Sequence, residues 1–170
     1  MSKIAKWGVG IVALLVVIIV ALIKTRTIPI VLSGASIPDF EVMSLQGDIV
    51  RSSDLRGQPM VLILGATWCP HCRKEVVEFQ KVYAAHADEL TVLFVGIDKE
   101  DNDKLTEFGA EFGLTFPITS DEFSTASRYF GPFIPNIYFI DAAGVVRSHS
   151  FSELKEGQLE NSLASIGITN

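Results

Sequence analysis

The strongest constraint in this chain is an apolar run, Met60-Val61-Leu62-Ile63-Leu64, that leads within four residues to Trp68-Cys69-Pro70-His71-Cys72. The run has strand length and no polar break, which predicts a central strand covered on both faces. Pro70 suits the first turn of a helix, where its missing amide would have no partner anyway. A strand that ends in a helix start fixes one α/β unit with two thiols at its turn. These are the only cysteines in the sequence, so a multi-disulfide framework is excluded. At positions i and i+3 of a first helical turn they are neighbours, and a bond between them is geometrically feasible.

That position has chemical consequences. Unpaired amides and the helix field at an N-terminus stabilise an anion. A thiolate is the attacking form of cysteine, so the location favours Cys69 as nucleophile. Cys72, one turn deeper, is placed to resolve a mixed disulfide. His71 stands between them and, when cationic, adds charge that tunes the thiolate. Pro70 rigidifies the turn, and Trp68 precedes the nucleophile as a shield and substrate contact. The chemistry implied is thiol–disulfide exchange, which needs no cofactor. A four-ligand zinc site needs a second pair of Cys or His, and neither His86 nor His149 has the spacing. Two soft thiolates could hold Cu(I), but no Met-rich stretch accompanies them.

The second feature is at the other end of the size scale. Residues 7–23 contain no charge. As a helix they would span about 26 Å, near the thickness of a bilayer core. Trp7 suits one interface, and Lys24 or Arg26 the other. This predicts a transmembrane anchor, with a cleaved signal peptide and a buried core helix as rivals. Against cleavage, the apolar run is long and no clean Ala-x-Ala site follows. Lys3, Lys6 and the amino terminus weakly favour a cytoplasmic N-terminus and an exported C-terminal part.

Charge then limits the partners. The chain carries 14 Lys and Arg against 20 Asp and Glu, and four of the basic residues precede Asp39, the first acid. The remainder is strongly acidic, which disfavours a phosphate backbone as partner, and no nucleic-acid reader motif is present. The acidic run at 98–103 lacks the Gly and distal Glu of a calcium loop; no metal site is expected.

The rest of the chain alternates. A hairpin is predicted around Gly47-Asp48, a second strand at 90–97, and a helix at 103–112 capped by Gly113. A short helix follows at 123–129, then a strand at 136–140, a turn at 141–144 and a returning strand at 145–149. A helix over 154–166 closes the chain. On the helix after Pro70, Val76, Val77, Phe79, Val82 and Tyr83 form the apolar face, with Arg73, Lys74, Glu78 and Lys81 toward water. His86 and His149 are read as surface residues, and the Phe and Tyr rings mainly as core or rim. The division is a tail at 1–6, an anchor at 7–23, a linker at 24–34 and one domain at 35–170.

Several landmarks, in order, resemble the thioredoxin-like superfamily, and within it the membrane-anchored TlpA/ResA-like thiol–disulfide oxidoreductases. They are Ile37-Pro38-Asp39-Phe40, Leu55-Arg56-Gly57-Gln58-Pro59, the Trp68–Cys72 motif, Phe116-Pro117-Ile118, Tyr129-Phe130-Gly131, Ile134-Pro135, and Phe139-Ile140-Asp141 with Gly144. The resemblance implies an α/β three-layer sandwich with a central mixed sheet behind one N-terminal transmembrane helix. It implies a cis Pro135 beside the cysteines, with Ile134 pairing an extended substrate strand. It also implies a buried acid at Glu75 that manages protons near Cys72, where the residue pattern by itself equally allows a carboxylate on the solvent face of the helix. Thioredoxin's buried Asp is replaced by Ile63, so that proton route is absent.

Direction of electron flow is where the signals divide. Pro70-His71 is the dipeptide between the cysteines of the dithiol oxidase DsbA. The family resemblance implies the opposite: a reductase acting on exported cysteine proteins such as apocytochrome c, fed by a membrane thiol carrier, with its domain outside a bacterial inner membrane. A peroxiredoxin-like peroxidase is a further alternative, since Thr67 stands two before Cys69.

Overall fold

The computed structural model describes residues 14–16, 31–97, 102–131 and 133–169. Its centre is the predicted strand, β3 (Met60–Gly65), buried along its whole length. Alternate side chains of β3 enter two separate cores, as the period-2 geometry of a strand dictates. Val61 and Ile63 join one core; Met60, Leu62 and Leu64 join the other.

Six further strands complete one sheet. They are β1 (Glu41–Ser44), β2 (Ile49–Arg51), β4 (Thr91–Gly96), β5 (Ile118–Ser120), β6 (Asn136–Ile140) and β7 (Val146–Ser150). The order is β2-β1-β5-β4-β3-β6-β7. β3 pairs in parallel with β4 and antiparallel with β6, in register Leu62 to Leu93 and Leu62 to Tyr138. β4 and β5 are parallel; β1 is antiparallel to both β2 and β5. The sheet is therefore mixed, as expected.

Among the described residues, four α-helices are set against this sheet: α1 (Pro70–His86), α2 (Asn102–Glu111), α3 (Thr125–Phe130) and α4 (Gln158–Ser165). One core joins Val76 and Phe79 of α1, Leu105 and Phe108 of α2 and Leu163 of α4 to Phe94 and Phe139. The opposite core joins Ala126 and Phe130 of α3 to Phe40, Leu93 and Tyr138. The result is the three-layer α/β sandwich of a thioredoxin-like fold.

Several details depart from the sequence reading. β5 was not foreseen as a strand; it joins the N-terminal hairpin to the rest of the sheet. The last helix starts at Gln158 rather than 154, because Gly157 before it adopts φ +76° and breaks the helical path. The short helix begins at Thr125, leaving Phe123 exposed. Val77 is exposed rather than on the apolar face. Arg73 does not simply face water: its guanidinium lies 4.7 Å from the Phe112 ring centroid and pairs with Glu111. His86 and His149 are half-buried, with His149 stacked on Tyr138 at 5.9 Å.

The predicted anchor at 7–23 lies outside the described residues apart from Leu14, Leu15 and Val16, which are helical and exposed. Among the described residues, no helix is long and apolar enough to cross a membrane. Most of the acidic run, residues 98–101, also lies outside them.

Candidate active site

The turn between β3 and α1 brings the two thiols together. Cys69 is the N-cap of α1 in extended conformation, with Pro70 at the first helical position. Its amide donates to the Ala66 carbonyl at 3.1 Å, and its own carbonyl accepts from Arg73 N at 3.1 Å. Its Sγ accepts from the Cys72 amide at 3.4 Å, so the sulfur occupies the place that a Ser or Asp oxygen takes in an ordinary N-cap. Both cysteines are present as thiols. Cys69 is 4% exposed and Cys72 is fully buried. Burial foremost, and then the hydrogen bond with Cys69, push the Cys72 thiol well above the ordinary range. Cys72 is thus protonated at rest, which suits the resolving role.

The surroundings are built for close approach. Ala66, Cys69 and Cys72 form a small cluster with Ile97 and Ile134 against it. A Cβ on Gly65 would lie 3.2 Å from Cys72 Sγ and 2.8 Å from Phe94 Cε2. Glycine at the end of β3 therefore lets the helix start sit against the strand. Arg73 Nη1 donates to the Thr67 carbonyl at 3.1 Å, which holds the loop before the motif.

Ile134-Pro135 is a cis peptide, as the resemblance implied, and Pro135 is buried. Asn136 Nδ2 donates to the Phe130 carbonyl at 2.5 Å and so ties this loop to α3. Trp68 is 67% exposed and lines a shallow cleft with Arg73, Lys104 and Glu107. Phe133 and Phe151 are also exposed, with ring centroids 6.1 Å apart. This aromatic pair next to the cis peptide was not singled out in the sequence, where Phe reads as core.

Glu75 is buried, and its Oε1 accepts from the Leu154 amide at 2.7 Å. Burial raises its pKa above the usual carboxylate range, against the lowering effect of that amide. The buried reading of Glu75 is therefore the one the fold realises. His71 is exposed, and its Nδ1 lies 2.7 Å from Glu153 Oε2. Glu153 follows β7, 82 positions along the chain. No local pattern marks it, because the contact exists only once α1 and the end of β7 are packed together.

The comparisons agree with this chemistry. Residues 33–149 match the AhpC/TSA family. The thiol-disulfide oxidoreductase ResA of Geobacillus kaustophilus is 32% identical over 138 residues, which cover 78% of this chain and 77% of that protein. The thiol:disulfide interchange protein DsbE of Pseudomonas fluorescens biotype C is 31% identical, over 77% of this chain and 73% of the relative. A solved structure from Chlorobium tepidum, assigned as a DsbE interchange protein, superposes with a TM-score of 0.68 at 26% identity, covering 81% of this chain and 99% of that one. This chain accordingly belongs to the AhpC/TSA family, as a thiol–disulfide oxidoreductase of the ResA/DsbE type.

Proposed function

We propose that this protein is a membrane-anchored reductase of disulfides in exported proteins, acting through Cys69 and Cys72. The Cys69 thiolate attacks one sulfur of a client disulfide and releases the other client sulfur as a thiolate. Cys72 then loses its proton and attacks Cys69 Sγ, which frees the second client thiolate and leaves the Cys69–Cys72 disulfide. Two electrons have passed to the client. A thiol carrier in the membrane returns them by the same exchange in reverse.

The observation that supports this reading best is the asymmetry of the pair. One sulfur caps a helix, and the other is fully buried one turn below. Glu75, on the same helix, serves as the proton store for the resolving step. Ile134 pairs its backbone with an extended client segment, a small case of strand addition. Trp68 and the Phe133–Phe151 pair supply apolar contacts around it. Residues 7–23 anchor the chain in a bacterial inner membrane with the domain on the outer side, where cysteine proteins such as apocytochrome c are the clients.

The deciding measurement is the equilibrium of the full chain with glutathione. The expected result is a reducing pair; a potential as high as that of a strong dithiol oxidase removes the reductase reading in favour of a DsbA-like one. A reporter fused to the C-terminus should be active only if exported, and activity in the cytoplasm instead would remove the anchor orientation.

A further inference from the structure

We propose that Glu153 is a positioning and counter-charge residue for His71, and that it makes this Cys-Pro-His-Cys motif less oxidising than the motif would be without it. The proposal rests on the exchange reading above and adds a residue that sets its potential.

Charge near the nucleophile carries the argument. His71 is two residues from Cys69, and an imidazolium there stabilises the thiolate. A more stable thiolate favours the dithiol form and makes the disulfide more oxidising. In this structure the imidazole is not free to act alone. Its Nδ1 is 2.7 Å from Glu153 Oε2. A carboxylate offers only acceptors, so Nδ1 is the donor in this contact. Hydrogen bonds from His71 first and Lys74 second hold the Glu153 carboxyl below the usual carboxylate range. It is therefore charged whenever His71 is, and the pair presents almost no net charge to Cys69.

The surroundings make the arrangement a fixed one. Lys74 Nζ reaches the same carboxylate at 3.3 Å. The next residue, Leu154, donates its amide to Glu75 at 2.7 Å. The segment after β7 is thus tied to three side chains of the first two turns of α1. Glu75 also lies within electrostatic reach of His71, and the cleft that Glu153 and Lys74 share is lined further by the ionisable groups of Arg73, Glu78, Lys155, Glu156 and Glu160. Among the described residues, Glu153 is the one carboxylate hydrogen-bonded to the imidazole.

The test is a double-mutant cycle read as a redox equilibrium. Glu153→Gln removes the charge and keeps an oxygen for the Nδ1 proton. The reaction converts the Cys69–Cys72 disulfide and two glutathione thiols into the dithiol and one glutathione disulfide, with two electrons moving. At about pH 6, where an imidazole is largely charged, E153Q should shift this equilibrium of the full chain toward the dithiol by about three- to tenfold. In a His71→Asn background the same substitution should shift it by clearly less, since only the direct effect of the carboxylate and of its Lys74 partner remains. No shift, a shift the other way, or a shift equally large without His71 would overturn the proposal. Failure of the wild-type chain to exchange with glutathione would sink the exchange reading and this proposal with it. An oxidising wild type would remove only the reductase direction and leave the E153Q comparison intact.

Discussion

At the scale of single residues, Glu75 carries a consequence for stability. Burial raises its pKa in the folded state above that of the unfolded chain. The native state therefore holds the Glu75 proton more tightly. Its contribution is fully present below the unfolded carboxylate value and is lost as pH rises through the folded one. Gln at this position keeps an oxygen for the Leu154 amide and carries no charge. The unfolding free energy of Glu75→Gln should thus gain on that of wild type as pH is raised from about 4 to about 8. A difference that stays flat in denaturant titrations across that range would show that the carboxyl does not feel its burial. The residues of this site divide by how far their meaning travels along the chain. Cys69, Cys72 and Pro70 were legible because a strand, a helix start and the thiol spacing are all local. Glu75 was legible only as one of two readings, since burial is settled by what packs on α1. Glu153 was not legible at all, being brought to His71 by the fold.

At the scale of elements, the junction of β3 and α1 is where sequence and packing meet most tightly. Gly65 closes β3 where any Cβ would press on both the Phe94 ring and Cys72 Sγ. Gly65→Ala should lose about 1–3 kcal/mol of stability by overpacking. It should also slow the resolving step, because the added methyl presses on the buried sulfur. Unchanged stability with unchanged single-turnover exchange would mean that the junction yields freely. Strands β3, β4 and β6 were readable as apolar runs bounded by turns. β5 was not, since three residues after Phe116-Pro117 are too few to display a period. The start of α4 was misplaced for a related reason. Apolar spacing begins at Leu154, but the amides of Leu154 and Lys155 bond Glu75 and Gln158 side chains instead of entering a helix. Side-chain capture of the backbone overrides periodicity there.

At the scale of the whole molecule, the layered sandwich followed from the alternation of strand and helix, whereas the mixed sheet was implied by the resemblance; it is built of parallel β3, β4 and β5 with antiparallel partners on both sides. Charge placement belongs to this scale too, with basic residues beside the apolar N-terminal run and an acidic remainder. The fold also governs who can reach the sulfur. Cys69 is only 4% exposed, beside a half-buried Ile134 and an exposed Trp68. Depth of that order screens clients by looseness. A disulfide on a pliant, protruding stretch can be threaded down to the nucleophile, whereas the same bond flush with a rigid face is held off by contact elsewhere. A short peptide disulfide should therefore react faster, by about tenfold or more, than the identical sequence locked within a stable host. Equal rates in stopped-flow would mean that the recess does no sorting. On this view the slackness of the bonded segment decides whether exchange begins, before any side chain is read.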